Sequence, residues 1–142
     1  MRNRSSKRRS AGFTLIELLV VLVILGLLAG LVGPQVLKYL SSANTETARQ
    51  QIANFSTALD MYRLEVGRYP TTNEGLQALV EPPSGASRWN GPYLNKDLIP
   101  KDPWGNDYHY RSPGGSGRPF EIYSLGADNA EGGTGENQDV VN

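Results

Sequence analysis

An unbroken apolar run occupies residues 13–33, FTLIELLVVLVILGLLAGLVG, and Glu17 is its only charged residue. As a helix rising roughly 1.5 Å per residue, the run is about 30 Å long, which matches the hydrocarbon thickness of a bilayer. It is therefore long enough to span a membrane. A cleavable secretory signal is the alternative, but it would have a shorter apolar core and a small-x-small cleavage site, whereas this run continues into a helical pattern beyond Pro34.

Charge is distributed unevenly along the 142 residues, although the formal net charge is zero. The first twelve residues carry five basic side chains and no acidic one: Arg2, Arg4, Lys7, Arg8 and Arg9. The positive-inside bias keeps such a cluster in the cytoplasm and places everything after residue 33 across the membrane. The remaining chain is mildly acidic, which argues against nucleic-acid binding. The chain has no cysteine, which excludes disulfides and thiolate metal sites.

Glu17 distinguishes the apolar run from an ordinary membrane anchor. A carboxylate inside an apolar helix costs about 3 kcal/mol unless it finds a partner. One explanation is that Glu17 lies near the end of the span, so that its carboxylate reaches the lipid headgroups. The other is that a specific partner holds it.

The sequence around Glu17 resembles a processing signal. A basic leader, the motif GFTLIE at residues 12–17 and an unbroken apolar stretch together resemble the prepilin signature of type IV pilins and type II secretion pseudopilins. The resemblance implies that a membrane prepilin peptidase cleaves between Gly12 and Phe13 and methylates the new amino terminus of Phe13. It also implies that Glu17 pairs with the N-terminal amine of a neighbouring subunit. Opposite charges at low dielectric offset part of their desolvation and fix register.

A second helical pattern follows the apolar run. Apolar side chains recur at steps of three and four residues, as in an amphipathic helix: Ala48, Ile52, Phe55, Leu59, Tyr62 and Val66. Gly67 and Pro70 favour a helix end, so one long helix is expected from about Thr14 to Val66. Pro34 lies where the membrane half meets the amphipathic half and should bend or loosen the helix there. A tolerated kink without an assembly role is the open alternative.

Turn-forming residues and two short strand patterns make up the rest of the chain. Residues 67–100 are expected to form a connecting loop region with a short helix near residues 74–80. Residues 107–111 and 120–125 are typical of strands. We expect an α+β fold in which a small antiparallel sheet covers the apolar stripe of the long helix. His109 is the only histidine, and no histidine-based catalytic constellation is visible.

Three downstream motifs narrow the resemblance to the major pseudopilins of type II secretion systems: GRYPTTNEGL at 67–76, KDPWGN at 101–106 and YSLGAD at 123–128. The resemblance implies a type IV pilin-like fold. It also implies a division of the chain into a leader at 1–12, a transmembrane and assembly segment at 13–33, and a periplasmic domain at 34–142. The periplasmic domain then comprises an amphipathic helix at 34–66, a loop region at 67–100, and the sheet with a C-terminal loop at 101–142.

The resemblance further implies a major structural subunit rather than an enzyme. Such subunits cross the bacterial inner membrane once, with a cytoplasmic N-terminus, and self-polymerise into a short periplasmic fibre. Minor pseudopilins cap that fibre, an inner-membrane assembly platform and a cytoplasmic ATPase drive it, and folded proteins leave through the outer-membrane secretin. A type IV pilus subunit for adhesion, motility or DNA uptake is the alternative. A membrane-tethered enzyme or binding module is a further one.

The tail at residues 128–142, DNAEGGTGENQDVVN, is polar, glycine-rich and acidic, which on composition alone is typical of a disordered end. The alternative is a loop for a hard cation such as calcium, in which glycines let carbonyls turn inward. Its side-chain ligands would be Asp128, Glu136, Asn137 and Asp139. The spacing does not form an EF-hand. The resemblance implies a calcium site in this loop, with Asp128, Asp139 and the Leu125 carbonyl among its ligands.

Overall fold

The computed structural model describes residues 11–142, so the basic cluster and most of the leader predicted at 1–12 lie outside the described residues. One helix, α1, spans Leu15–Val66, and three strands follow: β1 at His109–Arg111, β2 at Glu121–Ser124 and β3 at Val140–Val141. Short 3-10 turns lie at Leu76–Leu79, Gly115–Gly117 and Gly135–Asn137. The described chain divides into two compact units, residues 11–38 and Tyr39–Asn142, which are described separately below.

The first unit is the N-terminal part of α1. Its large apolar side chains between residues 15 and 37 are about half exposed or more. The helix is long and apolar enough to cross a membrane, and no part of its most apolar window is buried. Pro34 lies inside α1, which continues through it without interruption. Pro34 therefore does not interrupt the helix, and the bend or loosening expected there stays a prediction.

In the second unit, α1 carries the predicted apolar stripe and ends where the sequence indicated. Five stripe residues are buried, as is Ala58 beside them: Ala48, Ile52, Phe55, Leu59 and Tyr62. Val66 packs against this core and is partly buried. Gly67 has a φ of +94°, and its N–H donates to the Arg63 carbonyl at 2.8 Å. Glycine adopts this left-handed conformation without steric cost, which ends the helix.

The three strands form one antiparallel sheet in the order β1-β2-β3. Tyr110 lies opposite Ile122, and Ser124 lies opposite Val140. The strands predicted at 107–111 and 120–125 are confirmed with shorter bounds. The third strand was not predicted, because it lies in the tail whose composition is typical of disorder. The predicted short helix near 74–80 is present as the 3-10 turn Leu76–Leu79.

The core of the second unit lies between α1 and the sheet. The rings of Phe55 and Tyr108 meet edge to face with centroids 5.1 Å apart, and Ile122 is completely buried. Leu59 is also completely buried, and burying such a side chain contributes roughly 1.5–3 kcal/mol. The expectation of an α+β fold with a small antiparallel sheet on the helix stripe is confirmed.

Candidate processing segment and candidate calcium loop

The predicted cleavage position precedes the first helical residue. Gly12 and Phe13 lie outside α1, and the side chain of Phe13 is 86% exposed. The N–H of Glu17 donates to Thr14 Oγ1 at 3.2 Å, and the N–H of Thr14 donates to Glu17 Oε2 at 3.0 Å. This reciprocal pair is a capping box, which sets the helix start at Leu15. The bond between Gly12 and Phe13 therefore lies in exposed, non-helical chain, where a peptidase needs to break no helical hydrogen bond.

The capping role of Glu17 is a function that the sequence analysis missed. The sequence does indicate this role, since Thr14 and Glu17 have the spacing of a capping box before an apolar run. A carboxylate in this position also interacts favourably with the positive end of the helix dipole. Glu17 thus has a favourable local environment before any second subunit is considered.

The same reciprocal pair of hydrogen bonds between a threonine and a glutamate recurs in the GRYPTTNEGL motif. Glu74 Oε2 accepts the N–H of Thr71 at 2.8 Å, and Thr71 Oγ1 accepts the N–H of Glu74 at 3.2 Å. Arg68 holds both oxygens of Glu74, at 2.7 and 2.8 Å. Hydrogen bonding to Arg68, followed by that to Thr71, outweighs burial and lowers the pKa of Glu74 from 4.5 to about 2. These contacts give the motif a structural role at the end of α1.

The C-terminal loop joins β2 to β3 and closes on itself near its base. The N–H of Ala127 donates to the Glu136 carbonyl at 2.8 Å. Gly126 has a φ of +72°, and a Cβ there would stand 2.6 Å from the same carbonyl oxygen. Only glycine fits this close approach of two backbone segments. The loop therefore has a defined base.

The predicted calcium ligands occupy different positions around this loop. Asp128 is exposed, and its Oδ1 accepts the N–H of Ala130 at 3.2 Å. Asp139 Oδ2 accepts the N–H of Gly132 at 3.0 Å, whereas its Oδ1 is buried and has no hydrogen-bond partner among residues 11–142. Glu136 and Asn137 are exposed on the 3-10 turn Gly135–Asn137.

Asp139 and Leu125 line a common cleft of about 340 Å³, together with Glu131. Within residues 11–142, no group of three histidine, aspartate or glutamate side chains is placed to hold a metal ion. Calcium takes six to eight oxygen ligands, with backbone carbonyls among them. The buried, unpartnered Oδ1 of Asp139 is a hard oxygen donor of the type that calcium prefers. The residues present therefore fit calcium in donor chemistry, and the ligand set stays a prediction.

The exposed apolar part of α1 continues into an amphipathic part, and the amphipathic part packs on a small antiparallel sheet. These features define the pilin-like class of subunit. The family described as type II secretion system (T2SS), protein G matches residues 35–142, and the prokaryotic N-terminal methylation motif matches residues 7–33. The chain belongs to the T2SS protein G family.

Curated relatives and a solved structure agree with this family. The type II secretion system core protein G of Pseudomonas aeruginosa is 49% identical over an alignment of 140 residues that covers 96% of this chain and 96% of that one. The protein of the same description from Vibrio cholerae is 46% identical over 138 residues, covering 95% of this chain and 92% of that one. The crystal structure of the major pseudopilin of enterohaemorrhagic Escherichia coli matches with a TM-score of 0.61 at 32% identity, covering 71% of this chain and 87% of the other. The resemblance to major pseudopilins is confirmed.

Proposed function

We propose that this chain is the major structural subunit of a type II secretion pseudopilus. The proposal rests on one observation above all. A chain of the T2SS protein G family presents an N-terminal helix whose apolar side chains between residues 15 and 37 are uncovered in the single subunit. Such a surface needs lipid before assembly and other helices after it. The family match favours a secretion fibre over a type IV pilus.

Maturation would begin in the bacterial inner membrane, with residues 1–12 in the cytoplasm and the C-terminal domain in the periplasm. A prepilin peptidase would cleave between Gly12 and Phe13 and methylate Phe13. The match to the N-terminal methylation motif over residues 7–33 supports this step, as does the exposure of Phe13 ahead of the helix. The apolar part of α1 stays with the mature subunit.

Assembly would then transfer the apolar helix from lipid into a bundle of identical helices. Glu17 would pair there with the N-terminal amine of a neighbouring Phe13. Both charges are desolvated in the bundle, and their attraction offsets part of that cost while fixing the register of one subunit against the next. Pro34 removes one helical hydrogen bond, so the helix can bend or loosen at this position within the fibre.

The role proposed for the assembled fibre is mechanical, with no catalytic step and no nucleic-acid partner. The fibre would carry minor pseudopilins, grow from an inner-membrane platform, and help folded proteins leave through the outer-membrane secretin. Membership in the T2SS protein G family supports assembly into such a fibre, and the individual partners are part of the proposal.

Calcium is the cofactor that we propose for the C-terminal loop. The residues that would hold it are Leu125 through its carbonyl, Asp128, Glu136, Asn137 and Asp139. The ion would supply positive charge that links the start of the loop to its end. The buried Oδ1 of Asp139, which has no hydrogen-bond partner in the described part of the chain, supports this assignment.

Deletion of the gene followed by complementation tests the function. Without the gene, proteins normally exported by the type II system should accumulate in the periplasm, and the full-length chain should restore export. Covalent cross-linking should then recover ladders of this subunit. Normal export in the deletion strain, accompanied by loss of surface pili, would instead establish the type IV pilus alternative.

A further inference from the structure

A buried carboxylate outside the predicted ligand set lies at the turn formed by residues 102–106. Asp102 is 4% exposed, and its Oδ1 accepts the N–H of Trp104 at 3.1 Å and the N–H of Asn106 at 2.8 Å. The backbone also closes this turn, since the N–H of Gly105 donates to the Asp102 carbonyl at 3.0 Å. One carboxylate oxygen is therefore sufficient for the turn itself.

The second oxygen of Asp102 leaves the turn and contacts β2. Asp102 Oδ2 accepts the hydroxyl of Ser124 at 2.7 Å, and Ser124 is completely buried. Ser124 Oγ in turn accepts the N–H of Gly126 at 3.2 Å. The side-chain amide of Asn106 donates to the Gly126 carbonyl at 3.1 Å. Both backbone polar groups of Gly126 are thus held by side chains of this network.

The opposite side of Gly126 faces the returning end of the C-terminal loop. A Cβ on Gly126 would stand within 2.6 to 2.9 Å of the backbone of residues 136–138. Gly126 is therefore fixed between the turn at 102–106 and the segment that leads to Asp139. Leu125, whose carbonyl is a predicted ligand, is its immediate neighbour in the chain.

We propose that Asp102, Asn106 and Ser124 form a clamp, here named the Gly126 clamp, that positions the base of the C-terminal loop for cation binding. Its members are positioning residues and not ligands. Asp102 holds the Ser124 hydroxyl, and Ser124 and Asn106 hold the peptide groups on either side of Gly126. The effect on cation affinity rests on the proposed calcium function, whereas the effect on loop order does not. A carboxylate that only closed its own turn would not need the contact between Asp102 Oδ2 and the Ser124 hydroxyl. It would also not account for the hydrogen bond from the Asn106 amide to the Gly126 carbonyl.

The test uses the full chain in detergent micelles, with two clamp variants and a matched control. Asn106→Ala removes the hydrogen bond to the Gly126 carbonyl, and Ser124→Ala removes the hydroxyl that joins Asp102 to the Gly126 N–H. Asp107→Asn changes an exposed neighbour whose carboxylate pairs with Lys101 outside the clamp. Two quantities are measured: hydrogen exchange of the amides of residues 126 and 127 without calcium, and the Kd for calcium chloride by titration calorimetry.

Both clamp variants should raise amide exchange at residues 126 and 127 at least tenfold and weaken calcium binding about tenfold, while Asp107→Asn changes neither. Unchanged exchange in folded Asn106→Ala protein would overturn the clamp. Raised exchange with an unchanged Kd would overturn its link to binding. If the wild-type chain binds no calcium and the clamp variants still show raised exchange, the clamp is supported and the calcium function alone is overturned. If Ser124→Ala fails to fold, Asn106→Ala carries the test, because Asn106 is only half-buried.

Discussion

Thr14 and Glu17 cap the start of α1 reciprocally, with the Glu17 N–H 3.2 Å from Thr14 Oγ1 and the Thr14 N–H 3.0 Å from Glu17 Oε2. The pair satisfies two of the backbone amides that the first turn of a helix leaves without helical partners. Glu17 therefore has a local function in addition to the proposed pairing with a neighbouring amine. The two functions differ in their requirement for charge, since a neutral amide oxygen also accepts a hydrogen bond at this position.

Glu17→Gln separates capping from charge pairing. The variant keeps an acceptor for the Thr14 N–H but removes the negative charge, whereas Glu17→Val removes both. If the charge pair drives assembly, both variants should insert into the membrane normally, and both should fail to form fibres. Membrane fractionation measures insertion, and cross-linking with electron microscopy measures fibres.

Thr14→Ala is the control for the capping half of this pair. It removes the hydroxyl acceptor and costs the helix end about 1 kcal/mol, but it leaves the charge of Glu17 intact, so fibres should still form. Normal fibres from Glu17→Gln, together with none from Glu17→Val, would assign Glu17 to capping and disprove the charge pair.

Gly12→Val should block maturation without disturbing the fold. A Cβ at Gly12 meets no atom of the described residues within 4 Å, so residues 11–142 do not obstruct a larger side chain there. Loss of processing would consequently reflect recognition by the peptidase. Mass spectrometry should show the uncleaved precursor for Gly12→Val. Gly26→Ala is the control, since Gly26 is equally open and lies beyond the motif, and it should mature normally. A mature N-terminus at Phe13 in Gly12→Val would contradict the predicted cleavage site.

The ion pair between Arg68 and Glu74 predicts a pH dependence of stability. The pKa of Glu74 falls from 4.5 to about 2 in the folded chain, chiefly through its hydrogen bonds to Arg68. Since the folded pKa lies below the unfolded one, this stabilisation is complete above about pH 4.5 and is lost as the pH falls toward about 2. Arg68 is about half exposed, so solvent screening limits the contribution to about 1 kcal/mol.

Glu74→Gln should therefore lower the melting temperature near neutral pH and reduce its fall on acidification. Part of that fall should remain, because hydrogen bonds from Gly115 and Arg111 also lower the pKa of Glu121. Tryptophan fluorescence during heating follows unfolding at each pH. Glu46→Gln is the control, since its pair with Arg49 is more than half exposed on both sides and should contribute little. A Glu74→Gln profile parallel to that of the wild type would contradict the assignment.

Calcium should raise the melting temperature of the full chain in detergent, because an ion that binds only the folded state stabilises it by mass action. Asp128→Ala should abolish the increase, and Asp139→Ala should reduce or abolish it. Asp107→Asn removes a carboxylate outside the loop and should keep the full increase. A wild-type melt that does not respond to calcium would remove calcium from the proposed function.

The long helix was predictable because its signals are local and repeated. The apolar run and the stripe from Ala48 to Val66 gave an expected helix from about Thr14 to Val66, and α1 spans Leu15–Val66. Strand β3 was not predictable in the same way. It has two residues, and the pairing of Val140 with Ser124 depends on a partner strand sixteen residues away. A segment this short has no periodicity of its own.

The candidate sites also differ in how far the sequence predicts them, according to whether their residues are close together in the chain. The processing motif is contiguous in sequence, so its residues were identified directly, and the capping box between Thr14 and Glu17 could have been identified as well. The burial of Asp102 could not be predicted, because Ser124, whose hydroxyl donates to the second carboxylate oxygen of Asp102, lies 22 residues away. A sequence shows the turn at 102–106 but not which strand covers it.

Two glycines of the C-terminal loop provide a final test of how closely its segments pack. Gly126 and Gly132 both have positive φ, at +72° and +84°, so alanine at either position is strained by about 1 kcal/mol or more. A Cβ on Gly132 meets open space, whereas a Cβ on Gly126 would stand 2.6 Å from the Glu136 carbonyl oxygen. Gly126→Ala should therefore lower the free energy of unfolding by about 2 kcal/mol more than Gly132→Ala, because the backbone at Gly126 and the backbone at 136–138 must move apart. Urea unfolding of the two full-length variants measures the difference. Equal losses of unfolding free energy would mean that the backbone at 136–138 can shift without destabilising the fold.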